Sequence, residues 1–216
     1  MDIVERIDAH YEQERAKGGR SHLGLSEIGE PCDRYIWLAH NGAKSSGIEG
    51  RVLRLFYLGE VIERVVIQDF AKIGMYVMEQ QKKVKIEHEP SGQRLRGSCD
   101  GILHGLDNEP RLLEIKSANA NSFKKLQQTR YEMWNPKYKA QIHAYMYGLD
   151  IPKGLAVVYC KDNSEMYMEE INLDRAYIEN RLHTVFGIMQ MEKIPPHGGC
   201  PMFDPSWCRF MEGCHA

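Results

Sequence analysis

No stretch of this 216-residue chain stays apolar for long. Its longest apolar runs, such as Gly154-Leu155-Ala156-Val157-Val158-Tyr159-Cys160, fall well short of the roughly 20 residues that span a bilayer. The opening residues, Met1-Asp2-Ile3-Val4-Glu5-Arg6, are charged and lack the apolar stretch of a secretion signal. Internal repeats and low-complexity segments are also missing. Neither sign of charge dominates: 28 Lys and Arg against 30 Asp and Glu leave a net charge of −2. These lacks exclude a membrane-spanning chain and a globally basic nucleic-acid binder, and they point to a cytoplasmic protein. They do not exclude local attraction of phosphate by a metal or by clustered basic residues. Arg94 and Arg96 form one such cluster, and Lys124, Lys125, Arg130, Lys137 and Lys139 another.

Apolar residues make up 43% of the chain and charged residues 27%, as in a soluble globular protein, and its length suits one domain of moderate size or one domain with a small appendage. Six cysteines are present. Without a secretion signal they do not read as a disulfide framework. Cys99 and Cys160 lie in apolar, strand-like runs, where a buried thiol is the ordinary meaning. Cys32 lies near the start, and Cys200, Cys208 and Cys214 lie in the last 17 residues. That distribution suggests a metal centre joining the two ends of the chain.

Residues 1–17 read as a helix closed by Gly18-Gly19, and Asp33 to His40 as a short helix. The strongest helical signal covers 51–73, where Val52, Leu55, Phe56, Ile62, Val66 and Phe70 recur near a period of 3.6. Strands are expected over Tyr76–Glu87, Arg94–His104 and Arg111–Ser117. A short helix is expected within 118–135. A helix opened by Pro136 should run to Tyr147 and stop at Gly148. A hairpin over 154–172 turns at Asp162-Asn163, and Asp174 caps a last helix to Met191. This order predicts an α/β fold with a mixed central sheet flanked by helices. The expected division is an N-terminal helical segment carrying Cys32 (1–50), a core (51–192) and a Cys-rich tail (193–216) packing back on the first segment.

The chemistry concentrates in Gly97-Ser98-Cys99-Asp100-Gly101 and Leu112-Leu113-Glu114-Ile115-Lys116. Residues two apart on a strand share a face, so Glu114 and Lys116 point the same way and Ile115 turns into the core. A hairpin brings Asp100 alongside Glu114. Two carboxylates sharing a divalent metal, with a lysine beside the attacking water, are suited to phosphodiester hydrolysis. A surface hairpin with alternating charge is the plainer alternative. Glu63, at the edge of the apolar stripe of the long helix, needs a partner, with Glu60 as the rival position. Gln141 and Tyr145 stand one helical turn apart and share a face.

The segments Phe56-Tyr57-Leu58-Gly59-Glu60-Val61-Ile62-Glu63, Gly97–Gly101, Leu113–Lys116 and Gln141-Ile142-His143-Ala144-Tyr145 together resemble the successive motifs of the PD-(D/E)XK nucleases. The resemblance is to the RecB-like branch, which includes phage exonucleases and a CRISPR-adaptation nuclease, and it spans residues 22 to 214. It implies a restriction-endonuclease-like core. It implies that Asp100, Glu114 and the Ile115 carbonyl bind Mg²⁺ or Mn²⁺, with Glu63 adding to the site. Lys116 is then the residue that positions or deprotonates the attacking water, and Gln141 and Tyr145 are the helix residues that contact DNA and support the site. The branch also often holds a four-iron, four-sulfur cluster on one cysteine before the core and three after it. Cys32 and the Cys208–Cys214 spacing fit that pattern. The remaining position departs from it, because the family's usual C-x-x-C places a cysteine at Pro205, whereas Cys200 lies eight residues before Cys208. Cys200 as the fourth ligand, zinc with His197 or His215, and no metal at all remain open at this point.

The function expected is a metal-dependent DNA exonuclease of phage recombination, repair or CRISPR adaptation, acting on single strands or duplex ends. A structure-selective endonuclease and a non-catalytic DNA-binding subunit of a larger complex are the alternatives. DNA is the expected partner, with a partner protein and a homo-oligomer left open.

Overall fold

The computed structural model describes residues 2–16, 23–196 and 208–214. At its centre is a five-stranded mixed sheet in the order β1-β4-β5-β6-β7. The strands are β1 (Tyr76–Met78), β4 (Gly101–His104), β5 (Arg111–Ala118), β6 (Lys153–Cys160) and β7 (Met166–Asn172). Only β5 and β6 run parallel. A parallel pair needs a long crossover. Here it is supplied by α4 (Ala120–Thr129), α5 (Tyr131–Trp134) and α6 (Pro136–Leu149).

Both faces of the sheet are covered, as an α/β fold requires. Under α3 (Gly50–Lys72), Ile62, Val66 and Phe70 pack on Leu103, Leu113, Ile115, Leu155 and Val157. On the opposite face Leu112, Ala156 and Val158 join a larger core with Ile142 and Met146 of α6. A Cβ at Gly154 would lie 2.9 Å from Met146 Sδ, so α6 presses closely on β6. The stripe expected on α3 holds only in its second half. Leu53 is buried in the first half, while Leu55 and Phe56 are 41% and 54% exposed. The reason is that the sheet ends before that part of the helix does, and α1 (Ile3–Ala16) lies alongside instead. That contact is partly polar: Arg54 pairs with Asp8 at 2.9 Å, Gly50 N–H donates to Glu12 Oε1 at 2.7 Å, and Tyr11 packs on Tyr57 with ring centroids 6.4 Å apart.

Two expected strands are each broken. Tyr76–Glu87 divides into β1 and β2 (Lys83–His88), and Arg94–His104 into β3 (Gln93–Ser98) and β4. The pair β2-β3 forms a separate antiparallel ribbon. The two breaks hold one another, since Gln81 N–H donates to the Asp100 carbonyl at 3.3 Å and Cys99 N–H to the Lys82 carbonyl at 3.1 Å. Glu79 and Gln81 take the left-handed conformation there, with φ of 50° and 55°. Hydrogen bonds made across some 20 residues leave no mark on local alternation. The ribbon buries Val84, Ile86 and Leu95. Gly148 does not end α6, which runs on to Leu149. A Cβ at Gly148 would lie 2.6 Å from Val84 Cγ1, so this glycine admits the ribbon against the helix.

On the larger core side, α7 (Arg175–Met189) is capped by Asp174, whose Oδ1 accepts from Tyr177 N–H at 2.9 Å. α2 (Asp33–His40) packs against α7. The end of the chain, with α8 (Met211–Cys214), lies on the α2 region. Arg34 donates to the carbonyls of Pro195 at 3.0 Å and Cys214 at 2.6 Å, and Arg209 pairs with Glu27 at 2.8 Å. No helix among the described residues is long and apolar enough to cross a membrane.

Candidate active site

Strand β5 carries two residues of the site on one face. Lys116 Nζ lies 2.5 Å from Glu114 Oε1, and Ile115 between them points to the α3 side. Asp100 occupies the break between ribbon and sheet, one residue before β4. Its Oδ2 accepts from Ile115 N–H at 2.6 Å. The β4-β5 ladder stops at Gly101 and Leu113, so Ile115 N–H meets the Asp100 side chain instead of a backbone carbonyl of that ladder. A Cβ at Gly101 would come within 2.4 Å of Val77 Cγ1, so only glycine lets β1 close over the residue after Asp100.

Glu114 is 1% exposed, and its Oε2 is buried without a hydrogen-bond partner. A buried carboxylate oxygen left unmatched is costly, which marks a place for a cation. Burial pushes the Glu114 carboxyl up to about 8, with the adjacent Lys116 ammonium opposing and Asp100 reinforcing the rise. Burial likewise raises Asp100. Glu63, held by Gln81 Nε2 at 2.9 Å, is raised by burial and then by repulsion from Asp100. Their mutual repulsion means that, once ionised, the three carboxylates favour a divalent cation near them. Among the described residues no three acidic, histidine or cysteine side chains are already drawn together as a ligand set. The donor set that fits a hard divalent ion is Asp100, Glu114 and the Ile115 carbonyl, with Glu63 beside them.

Burial acts to lower the Lys116 ammonium, but the Glu114 carboxylate outweighs it and holds the group well above the usual lysine range. Lys116 is therefore a proton donor and a cation. Gln141 and Tyr145 are both buried, and Gln141 Nε2 donates to Tyr145 Oη at 3.3 Å. A Cβ at Gly97 would lie 2.9 Å from Tyr145 Oη, so the ribbon closes over this phenol. Glu114 lies near enough to Tyr145 to raise its phenol, after burial.

The sequence reading missed an aromatic wall beside the lysine. Lys116 Nζ lies 4.9 Å from the Tyr138 ring centroid, within cation–π range. Tyr131 and Trp134 pack on Tyr138 with centroids 6.4 Å and 5.3 Å away. Tyr131 is fully buried, and its hydroxyl has no hydrogen-bond partner among the described residues. The signal was the spacing of Tyr131, Trp134 and Tyr138 at i, i+3 and i+7, interrupted by Pro136. Gln81 was missed because only the ribbon break brings it to Glu63.

Of the cysteines, Cys99 and Cys160 are buried as expected. Burial pushes the Cys99 thiol up to about 12, ahead of repulsion from Glu114 and Asp100. Cys208 is buried and belongs to the same apolar cluster against which Cys32 and Cys214 are half-buried. Cys200, His197 and His215 lie outside the described residues.

The family model of a YqaJ-like viral recombinase domain matches residues 40–148, half of the chain. The chain belongs to this family. The matched stretch contains Glu63, Asp100, Glu114, Lys116, Gln141 and Tyr145. Membership makes this a domain of the viral-recombinase type. Among solved structures, SSO0001 is similar with a TM-score of 0.57 and 15% identity, covering 96% of this chain and 93% of that one. LHK-Exo in complex with dAMP gives 0.56 and 16%, covering 84% and 90%. The alkaline exonuclease LHK-Exo from Laribacter hongkongensis gives 0.54 and 15%, over the same shares. At these identities the likeness is one of fold. No curated protein matches the sequence.

Proposed function

We propose that this YqaJ-like chain hydrolyses DNA from its ends with a divalent metal ion, Mg²⁺ or Mn²⁺, held by Asp100, Glu114 and the Ile115 carbonyl, with Glu63 completing the site. The observation that carries this reading is the buried, unpartnered Oε2 of Glu114 beside Asp100. The metal supplies Lewis-acid stabilisation of the charge that grows on phosphate. The protein's own residues supply the rest. Lys116, already protonated, donates to a phosphate oxygen or to the attacking water and stabilises the developing anion. Tyr138 limits the directions the Lys116 ammonium can take, and Gln141 and Tyr145 hold the wall behind Glu114.

Chain ends as the substrate feature are supported by the likeness to an alkaline exonuclease. Calorimetric titration of Mg²⁺ or Mn²⁺ into the protein tests the ligand set. Asp100→Asn and Glu114→Gln should each weaken binding by tenfold or more while the fold persists. Unchanged affinity in both would contradict the assignment. Closed circular DNA should stay intact under conditions in which linear DNA is degraded, whereas cutting of circles would point to an endonuclease.

The junction of Cys32, Cys208 and Cys214 is the place where a second, structural metal group is proposed, with iron–sulfur ahead of zinc. Its support is the sequence pattern and the placing of all three in or against the larger apolar core; among the described residues the three are not gathered as a ligand set. Iron and zinc analysis of protein purified without oxygen tests it, and absence of both would end that reading.

A further inference from the structure

The ribbon β2-β3 has a face that the catalytic reading leaves unused. Its inward side chains, Val84, Ile86 and Leu95, are buried, while Lys83, Lys85, Arg94 and Arg96 on the other face are all exposed. Pairing places Lys85 opposite Arg96, Glu87 opposite Arg94 and Lys83 opposite Ser98. Lys85 and Arg94 share Glu87, at 2.5 and 3.1 Å. Lys83 and Arg96 have no carboxylate partner among the described residues, and Lys83 Nζ is held at Ser98 Oγ, 3.1 Å away. In a chain whose net charge is −2, this is a local excess of positive charge.

Its place in the fold gives that charge a direction. The strand β3 leads through Cys99 directly to Asp100. Arg96 is four residues from Asp100, so the two Cα atoms are no more than about 14 Å apart. Ser98, where the Lys83 ammonium is held, is two residues away. Lysines on an exposed ribbon can also serve only to prevent edge-to-edge association, and the experiment below separates the two roles.

We propose that the exposed face of β2-β3, through Lys83 and Arg96, binds the phosphate backbone of the substrate DNA strand and guides it to Asp100. This rests on the nuclease reading. Phosphate contacts of this kind position the strand without reading its sequence. They also make binding fall with salt, by about 0.7 in log–log slope per contact on a single strand.

The test uses the full chain carrying Lys116→Ala, so that DNA is bound without being cut, and a fluorescein-labelled single-stranded oligonucleotide followed by anisotropy from low to high salt. Adding Lys83→Gln and Arg96→Gln should reduce the slope by about 1.4 and weaken binding roughly 25-fold at 0.1 M relative to 1 M salt. The same loss for oligonucleotides of different sequence is expected. A matched neutralisation of the exposed Lys72 and Lys193 should leave the slope unchanged, which separates local contact from net charge. The ribbon variant's thermal midpoint should equal that of its parent, because its packed face is untouched. Equal affinity and slope in the ribbon variant and its parent overturn the proposal, as does an equal loss from the Lys72 and Lys193 control. The nuclease reading is judged separately, by metal-dependent cleavage in the wild type, and falls alone if that is absent.

Discussion

Replacing Tyr131 with phenylalanine should make the protein more stable and its chemistry slower. The hydroxyl is buried beside Lys116 and Glu114 with no hydrogen-bond partner among the described residues. Leaving a buried hydroxyl unmatched costs about 1–3 kcal/mol. Tyr131→Phe removes that oxygen and keeps the ring that packs on Trp134 and Tyr138. Taking the lower part of that range, the gain is about 1–2 kcal/mol. For a chain of this length each kcal/mol moves the midpoint by roughly 2–4 °C, so Tm should rise by about 2–8 °C. An unmatched polar group beside a reactive lysine is a stability cost that is retained where function uses it. With Glu114 engaged by a bound metal, the Lys116 ammonium would need another acceptor, and the buried Tyr131 oxygen, which acts on it electrostatically, would serve. The variant should therefore lose turnover at saturating DNA with little change in KM. Thermal melts and urea titrations read the first half, and steady-state cleavage reads the second. A fall in stability would refute the reasoning about the hydroxyl. A rise in stability with full turnover would refute its link to Lys116.

Three further outcomes follow from the same geometry. Glu114 is raised by burial, so the folded protein holds a proton there that the unfolded chain releases near 4.5; the metal-free protein should lose stability as pH rises from about 4.5 through about 8. Mg²⁺ binds the deprotonated carboxylates, so its affinity should rise over that window, and it should restore the midpoint on the alkaline side; a metal-free midpoint that climbs toward pH 8 would contradict this. Gly97→Ala should destabilise the protein by about 1–3 kcal/mol and lower activity, because the new Cβ would lie 2.8 Å from Tyr145 Cε1; a neutral melt would show that the ribbon yields. Gly29→Ala should be worse still, with its Cβ 2.5 Å from Lys137 Cα, a backbone atom that cannot move aside cheaply, and soluble expression with a native melt would refute that.

What the sequence showed and what it hid divide along a physical line. Alternation on β5 was enough to put Glu114 and Lys116 on one face, because that strand is buried on both sides and its side-chain period is fixed by the pleat. The cap at Asp174 and the helix start at Pro136 were legible because they act within a few residues. The ribbon was not, because β2 and β3 leave the sheet through hydrogen bonds between Gln81 and Asp100 and between Lys82 and Cys99. The exposed Leu55 and Phe56 looked like core because periodicity records a face and not how far the sheet extends beneath it. Gly148 read as a stop, yet it is a contact. Gln81 at Glu63 and the Tyr131–Tyr138 wall at Lys116 are contacts between distant or interrupted segments, which no local spacing discloses.

The most direct measurement compares wild type with Lys116→Ala on end-labelled linear DNA and on closed circles, with Mg²⁺, Mn²⁺ or a chelator. The account predicts metal-dependent loss of linear DNA by the wild type, intact circles, no loss with chelator, and at least a hundredfold slower loss in the mutant, which should melt as a folded protein. Degradation by Lys116→Ala at the wild-type rate would contradict the central claim that Asp100, Glu114 and Lys116 form the site of hydrolysis.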